Sequence, residues 1–175
     1  RALFCAIATD TGWFRFQSTN GGTMRAIGRL IDLGAQPDLL YRQLYERCSQ
    51  ARVRIGGRLL DRIELSCDGR LAWLTARRED FARTGAEAAD TEDVVNGCFR
   101  IVGVECAFIA YEQKDGRVKV SFRSRGEVDV ASVAEQFGGG GHRQGSGAIV
   151  DGPFDLGLTR LIDAMASALS AIPDD

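Results

Sequence analysis

The run Gly138-Gly139-Gly140-Gly141-His142 carries the residue types that most directly imply chemistry. Glycines let the main chain approach a ligand closely, and successive N–H groups turned one way form a concave anion site. His142, the chain's single histidine, could complete such a site by donating a charge-assisted bond to a phosphate oxygen. A glycine run is also the composition of a flexible linker, and a lone histidine is often a satisfied, half-buried imidazole. The run stands between a helical pattern ending at Phe137 and an apolar strand pattern from Gly147, which favours the cradle over the linker. No Lys-Ser or Lys-Thr follows the glycines, so this is not a Walker phosphate loop.

Two further segments offer polar groups. In Ser121-Phe122-Arg123-Ser124-Arg125, strand alternation puts Ser121 and Arg123 on one face and Phe122 on the other. Arg123 could grip a phosphate through two N–H groups, with the Ser124 hydroxyl adding a third contact; the alternative is a solvated strand end. Thr9-Asp10-Thr11-Gly12 follows the apolar run LFCAIAT, which reads as a buried parallel strand. Asp10 would then stand at a strand's carboxyl end, where open α/β sheets bind ligands, and could hold a hard divalent ion. A cap or turn role is the other reading of Asp10. Trp13, Phe14 and Phe16 read as core residues rather than base-stacking surfaces.

The elements that must position these groups alternate in type. Helical spacing is expected over residues 23–33, from Pro37 onward, and over 52–63, where Gly56-Gly57 weakens it. Residues 71–75 read as a strand, 78–83 and 91–98 as short helices, and 104–111 and 118–122 as strands joined through Asp115-Gly116, a hairpin signal. A helix over 129–137, a strand over 147–150 and an amphipathic helix over 156–169 complete the pattern. The expected class is α/β: the end of a parallel-sheet domain (1–50), a linker helix (51–66) and a smaller mixed-sheet domain (67–175).

Composition narrows the partners. Twenty-two basic against 24 acidic residues give a net charge of −2, without the basic excess that long nucleic acid demands. A small phosphorylated ligand fits better. The five cysteines include no Cys-x-x-Cys pair and read as reduced thiols of a cytoplasmic protein. No apolar run approaches the roughly 18 residues of a membrane span. The chain opens with Arg1 directly before an apolar run, which reads as a piece of a longer protein.

Three ordered segments, TDTGWFRFQSTN (9–20), VSFRS (120–124) and FGGGGHRQGSG (137–147), together resemble the nano-RNA oligoribonuclease and 3′-phosphoadenosine 5′-phosphate phosphatase branch of the DHH phosphoesterases. The resemblance covers nearly the whole chain. It implies a DHH domain holding manganese (Mn²⁺) and a DHH-associated domain that binds the substrate, a short oligonucleotide or a nucleotide bisphosphate. It also leaves a homodimer open. On that basis Asp10 corresponds to a catalytic metal-ligand aspartate, and Arg123, Ser124, Gly139, Gly140, Gly141 and His142 match substrate-binding positions. Gly145-Ser146 stand where the family usually has two alanines. The Asp-His-His motif is absent from the chain, so this stretch is expected to bind without cutting. Other readings are a cyclic-dinucleotide phosphodiesterase, a single-strand exonuclease, or a non-catalytic binding module like the one ending alanyl-tRNA synthetases.

Overall fold

The computed structural model describes residues 1–16 and 18–172; Gln17, within the TDTG-containing segment, and the last three residues lie outside the described residues. The chain forms two compact units, Arg1–Cys48 and a second from Ser49 onward.

The described part of the first unit is helical: α1 (Ala2–Asp10), α2 (Gly21–Asp32) and α3 (Pro37–Tyr45). The strand expected over residues 3–9 is therefore a helix. Its apolar run has no diagnostic period, and Ala2, Ala6 and Ala8 supply the strongest intrinsic helix preference. Phe4 and Ala8, one turn apart, are its fully buried face. Asn20 caps α2 by accepting from the Gly22 and Thr23 N–H groups, while its own N–H donates to the Thr23 hydroxyl. Phe4, Ala8, Ile27, Ala35 and Leu40 make the core of this unit.

The second unit holds α4 (Gln50–Leu60), β1 (Glu64–Ser66), β2 (Leu71–Ala76) and α5 (Arg78–Thr84). Two 3₁₀ turns, Ala88–Thr91 and Val94–Arg100, follow where one short helix was expected. Then come β3 (Cys106–Glu112), β4 (Val118–Ser124), α6 (Val130–Glu135), β5 (Gly140–His142), β6 (Gly145–Val150) and α7 (Phe154–Ser170). The strands form one sheet in the order β1-β2-β3-β4-β6-β5, in which only β2 and β3 run parallel. The class is mixed α/β, as expected. Segment 51–66 is not a free connector: Ile55 and Leu59 of α4 are fully buried in this unit's core, and residues 64–66 are the edge strand β1.

The two sheet faces are treated differently. On one, Trp73, Phe108, Val118, Val120, Phe122, Ala148 and Val150 are buried together with Val130 and Val133 of α6 and Leu161 and Met165 of α7. On the other, α4 and the 3₁₀ turns cover Ala72, Leu74, Ala107 and Ile109, positions of β2 and β3 only. Over β4, β6 and β5 this second face is open: Lys119, Gly140 and His142 are exposed, and Ser121, Arg123, Gly145 and Gly147 are half-buried.

Asp80 ties α4 to α5. It is completely buried and accepts from the Arg58 guanidinium, from Arg62 (2.7 Å) and from the Arg77 N–H (2.9 Å). Burial alone would raise its carboxyl, but these three donors outweigh it and hold it below the usual carboxylate range.

Candidate phosphate-binding face

Register brings the sequence-marked groups into one row. Arg123 of β4 pairs with Gly145 of β6, and Gly145 pairs with His142 of β5. The next row is Ser121, Gly147 and Gly140. Cross-strand partners project to the same side, so the guanidinium and the imidazole share the open face. Two strand spacings separate their Cα atoms by about 10 Å, and the glycine between them has no side chain. Arg123 donates from Nη1 to the Phe122 carbonyl (2.8 Å) and lies beside Gly145, where an added Cβ would sit 3.4 Å from that nitrogen. Among the described residues no carboxylate forms an ion pair with Arg123, Lys119 or His142. The result is a bare strip of main chain flanked by two nitrogen donors, a shape suited to a compact anion.

The glycine run does not form the loop of inward amides that its composition suggests. Gly138 and Gly139 donate to the carbonyls of Glu135 (3.0 Å) and Ala134 (2.9 Å) and so close the end of α6. Gly140, Gly141 and His142 are the edge strand, and antiparallel alternation turns only every other N–H outward. Close approach to β6 fixes two of the glycines. An added Cβ would come 2.2 Å from the Gly147 carbonyl oxygen at Gly139, and 2.6 Å from the Ser146 Cα at Gly141.

Ser124 is engaged elsewhere as well. Its hydroxyl donates to the Val128 carbonyl (2.7 Å) and accepts from the Gly126 N–H (2.8 Å), locking the turn after β4. By alternation it also points away from the Arg123 side. Ser146, where the family pattern has alanine, is buried and donates to the Val130 carbonyl, pinning the start of α6 to β6 from behind. Its hydroxyl does not line the strip.

Asp10 is the exposed last residue of α1 rather than the end of a strand. The turn behind it is fixed by the buried Thr11, whose hydroxyl donates to the Ile7 carbonyl (2.7 Å). Trp13 and Phe14 follow in left-handed conformation (φ 57° and 68°) and pack edge-on against Phe4, which makes them core residues. Phe16 is instead 55% exposed. Among the described residues no group of three or more His, Cys, Asp or Glu side chains could hold a metal ion. A hard divalent ion needs about six oxygen ligands, so Asp10 cannot form a manganese site from the described residues alone.

Beside Arg123 lies a cavity of about 960 Å³, between the open side of β3–β4 and residues 86–95. Tyr111, Lys119, Ser121 and Arg123 line it; His142 and the glycine run do not. Burial raises the Tyr111 phenol, which lies near Thr91, Arg123 and Ser121. Sequence reasoning missed Tyr111 and Lys119. The hairpin turn held the signal, because the register it sets pairs Tyr111 with Lys119.

A mixed sheet backed by two helices, with a cationic, glycine-floored outer face, defines a class that comparison with known proteins confirms. Residues 74–171, more than half the chain, match the DHHA1 domain, and the chain belongs to that family. Among curated proteins it is 33% identical over 169 residues to the bifunctional oligoribonuclease and PAP phosphatase NrnA of Thermus thermophilus, covering 96% of this chain and 50% of that protein. To the protein of the same name from Bacillus subtilis it is 29% identical over 148 residues, covering 85% of this chain and 46% of that one. The chain thus spans about half the length of the curated relatives it matches. A solved exopolyphosphatase-related protein from Bacteroides fragilis superposes with a TM-score of 0.86 at 27% identity, over 92% of this chain and 47% of that one. None of the described helices is long and apolar enough to cross a membrane.

Proposed function

We propose that the protein is a cytoplasmic, metal-dependent DHH-family phosphoesterase that hydrolyses short oligoribonucleotides, 3′-phosphoadenosine 5′-phosphate, or both. The second unit provides the substrate-binding face. The observation that carries this reading is the Arg123–Gly145–His142 row, two nitrogen donors across a strip without side chains on the open face of the sheet. A phosphate can settle against the glycines while the guanidinium and imidazole donate to its oxygens, holding it in one orientation and stabilising negative charge. Two relatives named for oligoribonuclease and PAP phosphatase activity support the substrate class. The net charge of −2 supports short substrates over long polymers.

The metal assigned to this chemistry is Mn²⁺, with Asp10 as one carboxylate of a set that the described residues do not complete. When bound, such an ion activates water and neutralises developing charge. His142→Ala in the active protein is expected to lower kcat for a dinucleotide on the order of 10²–10³, the scale of one lost charge-stabilising donor. Near-normal kinetics would return His142 to an ordinary surface imidazole. Competition among a linear dinucleotide, a cyclic dinucleotide and a long single strand ranks the substrates. Preference for either of the last two would move the assignment to another branch of the superfamily.

A further inference from the structure

The turn between β1 and β2 contains one residue that its geometry does not call for. Asp68-Gly69 suits a turn with left-handed backbone (φ 55° and 84°), but Cys67 before it is left-handed as well (φ 51°). Cysteine has no preference for that conformation. What it presents there is its thiol: the half-buried Cys67 packs against the core cluster that contains the fully buried Cys106 of β3. Arg70 joins the two. Its N–H donates to the Cys67 carbonyl (3.0 Å), and its own carbonyl accepts from the Cys106 N–H (3.2 Å), with the Cys106 sulfur at 4.0 Å. A tight turn returns within about 7 Å at its fourth residue, and here that residue is Arg70, in contact with Cys106. A disulfide needs Cα atoms roughly 4.4–6.8 Å apart, a spacing this turn brings within reach. Burial, then Glu105, then Cys67 push the Cys106 thiol up to about 12, the last because two thiolates so placed repel. Cys98 lies in the core on the other sheet face, and Cys5 and Cys48 belong to the first unit.

We propose that Cys67 and Cys106 are a modification site: hydrogen peroxide converts them to a reversible disulfide that staples the β1–β2 turn to the start of β3. The Cys67 thiolate attacks one peroxide oxygen, the O–O bond breaks, and the released hydroxide takes up a proton to become water. The Cys106 sulfur then attacks the Cys67 sulfenic acid. The S–S bond forms, the S–O bond breaks, and the hydroxyl leaves as a second water with the Cys106 proton. Two electrons pass from the two thiols to the peroxide. Cys106 stays protonated at neutral pH, so Cys67 reacts first and Cys106 serves only as its partner. Attack by an external thiol on the disulfide restores both. In a reducing compartment the pair stays open until an oxidant arrives. The site is independent of the phosphate-binding reading of the Arg123–His142 row.

Incubating the 175-residue chain with hydrogen peroxide, followed by non-reducing peptide mass mapping, tests this. A cross-linked peptide pair containing Cys67 and Cys106, two hydrogens lighter than the separate thiols and released by dithiothreitol, is the expected product. Closing a loop of about 40 residues should raise Tm by about 5–10 °C relative to the dithiothreitol-treated protein. Cys67→Ser should lose both the cross-link and the Tm rise, whereas Cys48→Ser, at an exposed position, should keep both. The peptide map of the unsubstituted chain needs no variant, so it decides even where a substitution harms folding. Recovery of Cys67 unchanged, as a sulfinic acid or joined to another cysteine would overturn the proposal. So would a Tm rise that persists in Cys67→Ser.

Discussion

Replacing Arg123 by alanine removes the one guanidinium of the Arg123–Gly145–His142 row, and the structure sets the size of the effect. The side chain is half-buried, donates one bond to the Phe122 carbonyl (2.8 Å), and has no carboxylate partner among the described residues. It has donors left over for a phosphate, and each hydrogen bond to a charged group contributes about 1.5–3 kcal/mol. Two such bonds on a fully desolvated site would double that figure, but partial exposure screens them to about 2–3 kcal/mol in total. The expected weakening of Kd for a nucleotide bisphosphate is therefore about 30- to 150-fold. Arg123→Lys should fall between, because a point charge keeps the attraction and loses the two-pronged geometry. Titration calorimetry at fixed low salt measures both variants, with thermal unfolding as the control for folding. A Kd for Arg123→Ala within twofold of the unsubstituted protein, at unchanged Tm, would refute the reasoning.

Asp80→Asn should cost about 3 kcal/mol in urea unfolding, the low end for breaking a buried ion pair, because Arg58 and Arg62 remain about a third exposed (35% and 36%). Since the folded-state Asp80 titrates below its unfolded value, its stabilisation is complete above about pH 4 and is lost as pH falls toward the lowered folded value. Unchanged unfolding midpoints between pH 6 and pH 3 in a comparison with Asp80→Asn would contradict this. Burial pushes the Cys98 thiol to about 11 and the Cys106 thiol to about 12, so at pH 8 a thiol reagent should label the exposed Cys48 and spare these two until the protein unfolds. Mass spectrometry of the labelled chain reads the result. The chain as given is expected to bind a dinucleotide in Mn²⁺ and not to hydrolyse it, since its described residues complete no metal site; turnover would overturn that account.

Much of the arrangement of the candidate face was legible in the sequence because it rests on period-two alternation and one turn. Asp115-Gly116 fixed the hairpin, and the hairpin put Ser121 and Arg123 on a common face. Ser124, offered as a phosphate contact by the residue reading and by the family pattern alike, is used by the turn after β4 instead, which strand spacing alone does not reveal. The glycine run was legible as a place of close approach but not as a strand. Glycine has no strand preference of its own, and β5 exists because β6 lies alongside it. The helix α1 was misread since an unbroken apolar run carries no period, and only its alanines held the clue. The cavity was invisible for another reason. Residues 86–95 come to stand over Tyr111 through tertiary packing of Val95 and Cys98, which no local pattern records.

The open side of β4 has a consequence for how this protein can change. Val118, Val120 and Phe122 face the interior and hold the sheet to its helices, while Lys119, Ser121 and Arg123 lie on the opposite, open side of the strand. Under the proposed function, recognition and folding are written on interleaved letters of one seven-residue word. On that function, substitutions at 119, 121 and 123 can retune which nucleotide is held without eroding the scaffold, and substitutions at 118, 120 and 122 can adjust robustness without altering the ligand. A lineage carrying this strand can explore new substrates one outward residue at a time.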